Sequence, residues 1–308
     1  MKRLIIFLIV VSVIAGMIGC GAEELIPDDN LEAVVREEIG KPTGDIYPLD
    51  LAGLTYLHAS SRNISDVTGL EHCTSLKILH LYDNQINDMS PLSNLTSLTD
   101  LALNVNQISD ISPLANLTSL TSLYLDVNQI SDISPLSNLT SLADLSLLNS
   151  QISDISPLSN LTSLVFLGLF LNQISDISPL ANLTGLTALD LDFNQINDIS
   201  PLANLSNLEV LCLGSNNVSG ISSLSNLTNL TNLDLDGNQI SDISTLANLT
   251  GLTALDLDSN QISDISPLVE NEGLGVEDKV YLADNPLSDD CINIYIPQLE
   301  ARGVTVRY

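Results

Sequence analysis

The apolar positions of this chain fall on a fixed beat. Asn84, Asn106, Asn128, Asn172, Asn194, Asn216, Asn238 and Asn260 stand in one register of 22 residues, with Ser150 on the missing rung and Arg62 one turn earlier. Within a unit the spacing changes. From Ile86 the apolar residues come every third place (Ile86, Met89, Leu92, Leu95, Leu98, Leu101), and then Leu101 and Leu103 stand two apart. A spacing of two marks a strand with one buried face. A spacing of three suits a 3₁₀ turn or an extended, polyproline-like return, and it does not suit an amphipathic α-helix. Each unit therefore predicts one short parallel strand and an extended return.

Polar residues set the bends. Pro91, Pro113, Pro135, Pro157, Pro179, Pro201 and Pro267 open the return, where a fixed φ and a missing N–H do no harm. Asp66, Asp88, Asp110, Asp132, Asp154, Asp176, Asp198, Asp242 and Asp264 stand just before those turns, and capping accounts for them without any ligand. The asparagine column is expected inside, satisfying backbone groups at the bend after each strand. A solenoid also needs its ends closed. Asp28 or Asp29 predicts the start of a helix through Leu31, Val34, Val35 and Ile39 that Gly40 stops. Ser288 to Arg302 reads as a second helix, containing Pro297 and ended by Gly303, and Val304 to Tyr308 as a last strand.

Units such as Leu120-Thr-Ser-Leu-Tyr-Leu-Asp-Val-Asn-Gln-Ile-Ser-Asp-Ile-Ser-Pro-Leu resemble the 22-residue leucine-rich repeats of the internalin type. The resemblance covers about residues 54–268, and an irregular further unit at Val280 to Leu287 keeps Asn285. It implies an α/β leucine-rich-repeat solenoid: a right-handed coil with about eleven short parallel strands on the concave face, a 3₁₀ or extended convex side, and helical caps at both ends. Residues 27–53 resemble the helical N-terminal cap of that family, 54–287 form the repeats and 288–308 the C-terminal cap. One solenoid thus replaces the two domains that the length alone suggests.

The first 20 residues read differently. Lys2 and Arg3 precede an apolar run from Leu4 to Ile14 that is shorter than the ~20 residues of a bilayer span. Met17-Ile18-Gly19-Cys20 resembles the bacterial lipobox, which implies that Cys20 is lipidated and that residues 21–26 are a short tether. The expected location is the cell membrane or cell surface, reached by export, with the lipid as the only membrane attachment. Cys73, Cys212 and Cys291 remain, an odd and dispersed set that makes no disulfide framework. Cys73 takes a leucine position and is expected in the core.

Charge then narrows the partners. The chain of 308 residues carries 9 Lys and Arg against 38 Asp and Glu, and between Lys77 and Lys279 there are 23 Asp and Glu and no Lys or Arg. Such a surface excludes phosphate-neutralising nucleic-acid binding and docking on anionic lipid. With 44% apolar residues the chain has ample material for a core.

If each asparagine is position nine, positions three, five, seven and eight project from the strand side in three zones. Tyr56, His58, His80, Tyr82, Asp83 and Asp100 stand first. Tyr124, Val127, Leu148, Phe166, Phe170, Leu171 and Phe193 lie in the middle, with Leu171 and Phe193, at position eight, read as partly turned into the bend. Asp190, Asp192, Asp234, Asp236, Asp256 and Asp258 come last, interrupted by Cys212 and Gly214. Solvent-facing apolar residues in a contiguous group mark a partner site. The acidic rows read as solvated charge, as steering for a basic partner, or as a cation site, although calcium needs six to eight oxygens in a closed cage. His58 and His80 on adjacent strands are a weak zinc candidate, since two more ligands are needed and Asp100 or Asp83 could supply only one; an ordinary polar or pH-responsive surface pair is the alternative.

No nucleophile, base and orienting acid assemble around His58, His72 or His80, and no phosphate loop or metal-hydrolase motif is present. The reading is a non-enzymatic, extracytoplasmic recognition module without cofactor, monomeric, binding a protein or peptide across its concave face. An adhesin or structural protein without a single ligand, or a Ca²⁺- or Zn²⁺-dependent binder, is the alternative.

Overall fold

The computed structural model describes residues 24–308; the expected export signal, residues 1–20 with Cys20, lies outside the described residues. The amphipathic helix α1 (Asp29–Glu38) opens the fold. Asp28 caps it by accepting from the Asn30 and Leu31 amides, both at 3.0 Å, and Leu31, Val34 and Val35 face inward. A second short helix, α2 (Pro48–Leu51), follows and brings Leu51 into the same core.

The repeats then lay down β1 (Tyr56–His58), β2 (Ile78–His80), β3 (Asp100–Ala102), β4 (Ser122–Tyr124), β5 (Asp144–Ser146) and β6 (Phe166–Gly168). They continue with β7 (Ala188–Asp190), β8 (Val210–Cys212), β9 (Asn232–Asp234), β10 (Ala254–Asp256), β11 (Lys279–Tyr281) and β12 (Thr305–Arg307). All twelve pair in sequence order, all neighbouring pairs are parallel, and equivalent positions of neighbouring repeats face one another. The predicted eleven strands are thus extended by β12, the last strand expected after Gly303. A leucine-rich-repeat solenoid with a helical N-terminal cap is the result.

The returns are 3₁₀ turns, such as Ser112–Leu114 and Ser178–Leu180, except after β10, where Ser266–Glu270 is a short α-helical turn. In one coil Leu101, Leu103, Ile108, Ile111, Leu114, Leu117 and Leu120 are all sealed from solvent. Each such side chain contributes about 1.5–3 kcal/mol of burial. The coils stack these side chains into one continuous core, which includes Cys73 and Cys291 as free thiols. At the far end a π-turn (Cys291–Tyr295) runs into α3 (Ile296–Ala301), which closes the core with Ile296 and Leu299.

The bends follow the expected bookkeeping of polar groups. Asn216 Oδ1 accepts from the Ile196 amide at 2.9 Å, and its Nδ2 donates to the carbonyls of Leu191, Leu213 and Gly214. Every capping aspartate named above takes the amide two residues on, as Asp110 does from Ser112 at 2.8 Å. At the rung where serine replaces asparagine, the Ser150 hydroxyl is buried and makes no hydrogen bond.

Candidate functional site

The strand face is where the sequence stops repeating. Position four points inward as leucine, while positions three and five point out, so the strands print two columns of unrelated residues onto one surface. Position seven adds a third column. Position eight adds a fourth, and here the structure corrects the sequence reading. Val105, Val127, Leu171 and Phe193 adopt left-handed backbone, with φ between 54° and 55°. That conformation is unfavourable for side chains with a Cβ and rare for β-branched ones. It swings them outward, not into the bend; Phe193 is 48% exposed and Leu171 41%.

In the middle of the face the apolar residues meet. The rings of Phe170 and Phe193 contact edge to face, 5.1 Å between centroids, a geometry worth about 0.5–1.5 kcal/mol. Leu148 and Phe166 close over Gly168: a Cβ built on that glycine would lie 2.7 Å from Leu148 Cδ1 and 3.2 Å from Phe166 Cζ. The absent side chain of Gly168 lets these two side chains settle over the strand, and with Phe170 and Phe193 they make an apolar pad drawn from three coils. Tyr124 stands beside the pad, two strands from Gly168 across the small, buried Ser146. Tyr82 is exposed but two further coils away, so the structure does not bring it into the pad.

Sequence reasoning missed Asp126, which holds the approach to the pad in place. Its Oδ1 accepts from Ser146 Oγ at 2.5 Å and from the Leu148 amide at 2.9 Å. The same device recurs where Asp192 accepts from the Gly214 amide and Asp258 from the Ala283 amide. An aspartate at position seven therefore caps the free amide of the next coil, a role readable only once the coils are stacked.

The acidic zone is tighter than its sequence suggested. Cys212 and Gly214 do not open a gap in it. The missing side chain of Gly214 is the space into which Asp192, Asp234 and Asp236 turn their carboxylates. Asp190, Asp234 and Asp256 each accept the amide of the next position-seven aspartate, at 3.0–3.2 Å. Burial raises the pKa values of Asp190, Asp234, Asp236 and Asp256, and neighbouring carboxylates add to the effect. Burial and the charge of Asp234 push Asp192 up to about 7. Among the described residues the ion pairs are Arg36–Glu32, Lys41–Asp50, His72–Glu71 and His80–Asp100, and none touches these six aspartates.

Asp190, Asp192 and Cys212 place donor atoms within 4.8 Å of one another. Three donors are few for calcium, and burial pushes the Cys212 thiol up to about 12, away from the thiolate that zinc prefers. The weak histidine candidates lie side by side, with Asp100 next to His80. His58 stacks between Tyr56 and His80, each at 4.3 Å, and His80 Nε2 lies 3.2 Å from Asp100 Oδ1.

The family profile for leucine-rich repeats, two copies per match, fits residues 52–94, 74–116, 96–138, 118–160, 162–204, 206–248 and 228–270. The chain is a leucine-rich-repeat protein. Within that family it is internalin-like. It is similar to an internalin (inlF) of Listeria monocytogenes, at 34% identity and TM-score 0.66, covering 92% of this chain and 96% of that one. Internalin C2 of the same species is 41% identical with TM-score 0.67, covering 68% of this chain and 94% of its own. A third leucine-rich-repeat structure is the ectodomain of a plant membrane receptor kinase from Arabidopsis thaliana, in complex with Casparian strip integrity factor 2. It is 25% identical with TM-score 0.64, covering 74% of this chain and 32% of that one. No curated sequence matches this leucine-rich-repeat chain significantly. Among the described residues no helix is long and apolar enough to cross a membrane.

Proposed function

We propose that this leucine-rich-repeat protein is a non-enzymatic, extracytoplasmic recognition module that binds a protein or peptide partner across its concave face. Residues 1–20 would direct export and Cys20 would carry the lipid that holds the chain at the membrane or cell surface. The remainder would act as a monomer, with 27–53 and 288–308 closing the repeats.

The observation that carries this reading is the apolar pad. Leu148, Phe166, Phe170 and Phe193 lie on the solvent side of the sheet, where there is no core for them to fill, in a chain whose other strand-face positions are mostly polar. A rigid scaffold presenting such a patch loses little entropy on binding, and well-packed aromatic residues dominate interface energies. The plant receptor ectodomain, solved with its peptide factor, supports the class of partner.

The test is co-purification of a surface or extracellular partner with the full-length chain and with Phe166→Ala/Phe170→Ala. Capture should fall by about tenfold or more, as loss of two central anchors implies, with the melting temperature preserved. Equal capture by both proteins would sink the concave-face reading. Cys20→Ser should shift the protein from the membrane fraction to the soluble one; unchanged fractionation would remove the lipid anchor.

A further inference from the structure

Beyond the pad, towards the C-terminal end, the strand face holds a hollow of about 240 Å³. Its residues come from four successive strands. Val210, Asn232 and Ala254 stand at position three, with Asn232 between the other two, and Cys212, Asp234, Asp256 and Tyr281 at position five. Cys212 faces Asp234 in register, Asp234 faces Asp256, and Asp256 faces Tyr281. Val210 and Ala254 give apolar footing on either side of the Asn232 amide, two carboxylates make one wall, and a phenol ring closes the end.

Few side chains match that order of surfaces. A neutral apolar group would strip water from two carboxylates and return nothing. An anionic group would be repelled. A long aliphatic stem ending in a cation satisfies all three surfaces: the stem lies along Val210 and Ala254, the head meets the carboxylates, and the ring adds a cation–π contact. The chain already displays part of this chemistry. On the neighbouring strand its own Arg307 holds the guanidinium 5.5 Å from the Tyr281 ring centroid. Asp234 and Asp256 have no such counter-charge among the described residues, and their half-buried setting magnifies what a cation would gain.

Resting on the concave-face reading above, we propose that this hollow is a subsite for an arginine or lysine side chain of an extended peptide whose apolar anchor sits on the Phe166–Phe170–Phe193 pad. The spacing follows from the sheet. The pad centres on β6 and β7 and the hollow on β9 and β10, about three strand spacings of ~4.8 Å apart. With the sideways step from position seven to position five, a chain advancing ~3.3 Å per residue bridges them in about four to six residues. The recognised element is an apolar residue followed or preceded at that distance by a basic one.

The probe is a random dodecapeptide display library, selected on the full-length chain in mild detergent. Selected peptides should carry Arg or Lys about four to six residues from an aromatic or aliphatic residue. Remade with citrulline for Arg, or norleucine for Lys, they should bind about tenfold more weakly, because a charge-assisted contact is lost. Against Asp234→Asn/Asp256→Asn, which keeps the shape and relieves like-charge repulsion, that replacement should make less than about a twofold difference. Peptides that need the pad but ignore the citrulline or norleucine exchange would overturn the subsite and leave the concave-face reading standing. Binding that depends on added calcium and ignores the exchange would overturn it likewise. Binding indifferent to Phe166→Ala/Phe170→Ala would overturn the reading on which it rests.

Discussion

At the bends of the coils that carry it, the asparagine makes hydrogen bonds with every arm of its amide, as Asn216 does. On the strand face, in the same coils, Asp234 and Asp236 repeat at the same interval without any opposite charge. Both columns are polar and both are partly shielded from water. They differ in whether the fold uses them up. The asparagines are consumed by backbone groups that would otherwise be orphaned, and so they hold the structure together. The aspartates keep free oxygens at a free-energy cost from desolvation and repulsion. A column whose hydrogen-bonding arms are all taken is architecture; one that keeps free oxygens without a counter-charge is available for recognition.

Asn216→Ala would sharpen this contrast most. It leaves a buried amide N–H and three carbonyls short of partners, so a loss of about 2–4 kcal/mol in denaturant unfolding is expected. A loss below about 0.5 kcal/mol would break the structural reading of the ladder.

Asp192→Asn should act in the opposite direction. A carboxyl whose folded pKa lies at about 7 binds its proton more tightly folded than unfolded. Its contribution to stability is complete below the ordinary carboxylate pKa and is lost as pH rises through 7. The wild type should therefore melt higher at about pH 5 than at about pH 8, and the variant should flatten that slope. At about pH 8 the variant should gain about 1–2 kcal/mol, well under the full linkage value because the side chain is part-exposed. His58, whose pKa burial and His80 lower, pulls the other way in the same window, so the difference between the two proteins is the readout. The capping residues Asp110, Asp154 and Asp176 titrate below the ordinary range, held there by the serine amides, and stay silent. A variant with an undiminished slope would dismiss this account.

Ser150→Asn, the smallest effect, should restore the missing rung and raise stability by about 0.5–1 kcal/mol. A destabilised variant would show that the coil has closed around serine.

The fold was legible because the 22-residue beat is copied through the repeats and each copy changes period from three to two at the same place. The capping aspartates and the helix over Leu31 to Ile39 followed from local chemistry. The hidden parts were those that depend on stacking. Nothing in Val105, Val127, Leu171 or Phe193 announces left-handed backbone, since glycine or asparagine would be the usual signal. Gly214 looked like an interruption because its meaning lies in the side chains of the coils around it. The capping role of Asp126 and Asp192 depends on the amides of the next coil, which no single repeat shows. The pad residues were readable individually, whereas the closure of Leu148 and Phe166 over Gly168 was not. The short helix Pro48–Leu51 belongs to no repeat and had no pattern to betray it.

Each asparagine also rivets its coil to the one before, so the array behaves as a line of units coupled to nearest neighbours. At Ser150 one rivet is absent. Two cooperative blocks are then expected to meet there, with amide exchange around Ile130 and Leu148 faster than at the asparagine rungs on either side. The apolar pad begins at that seam. A ligand lying across it would splint the two halves, and its affinity would register as mechanical stiffness of the whole solenoid.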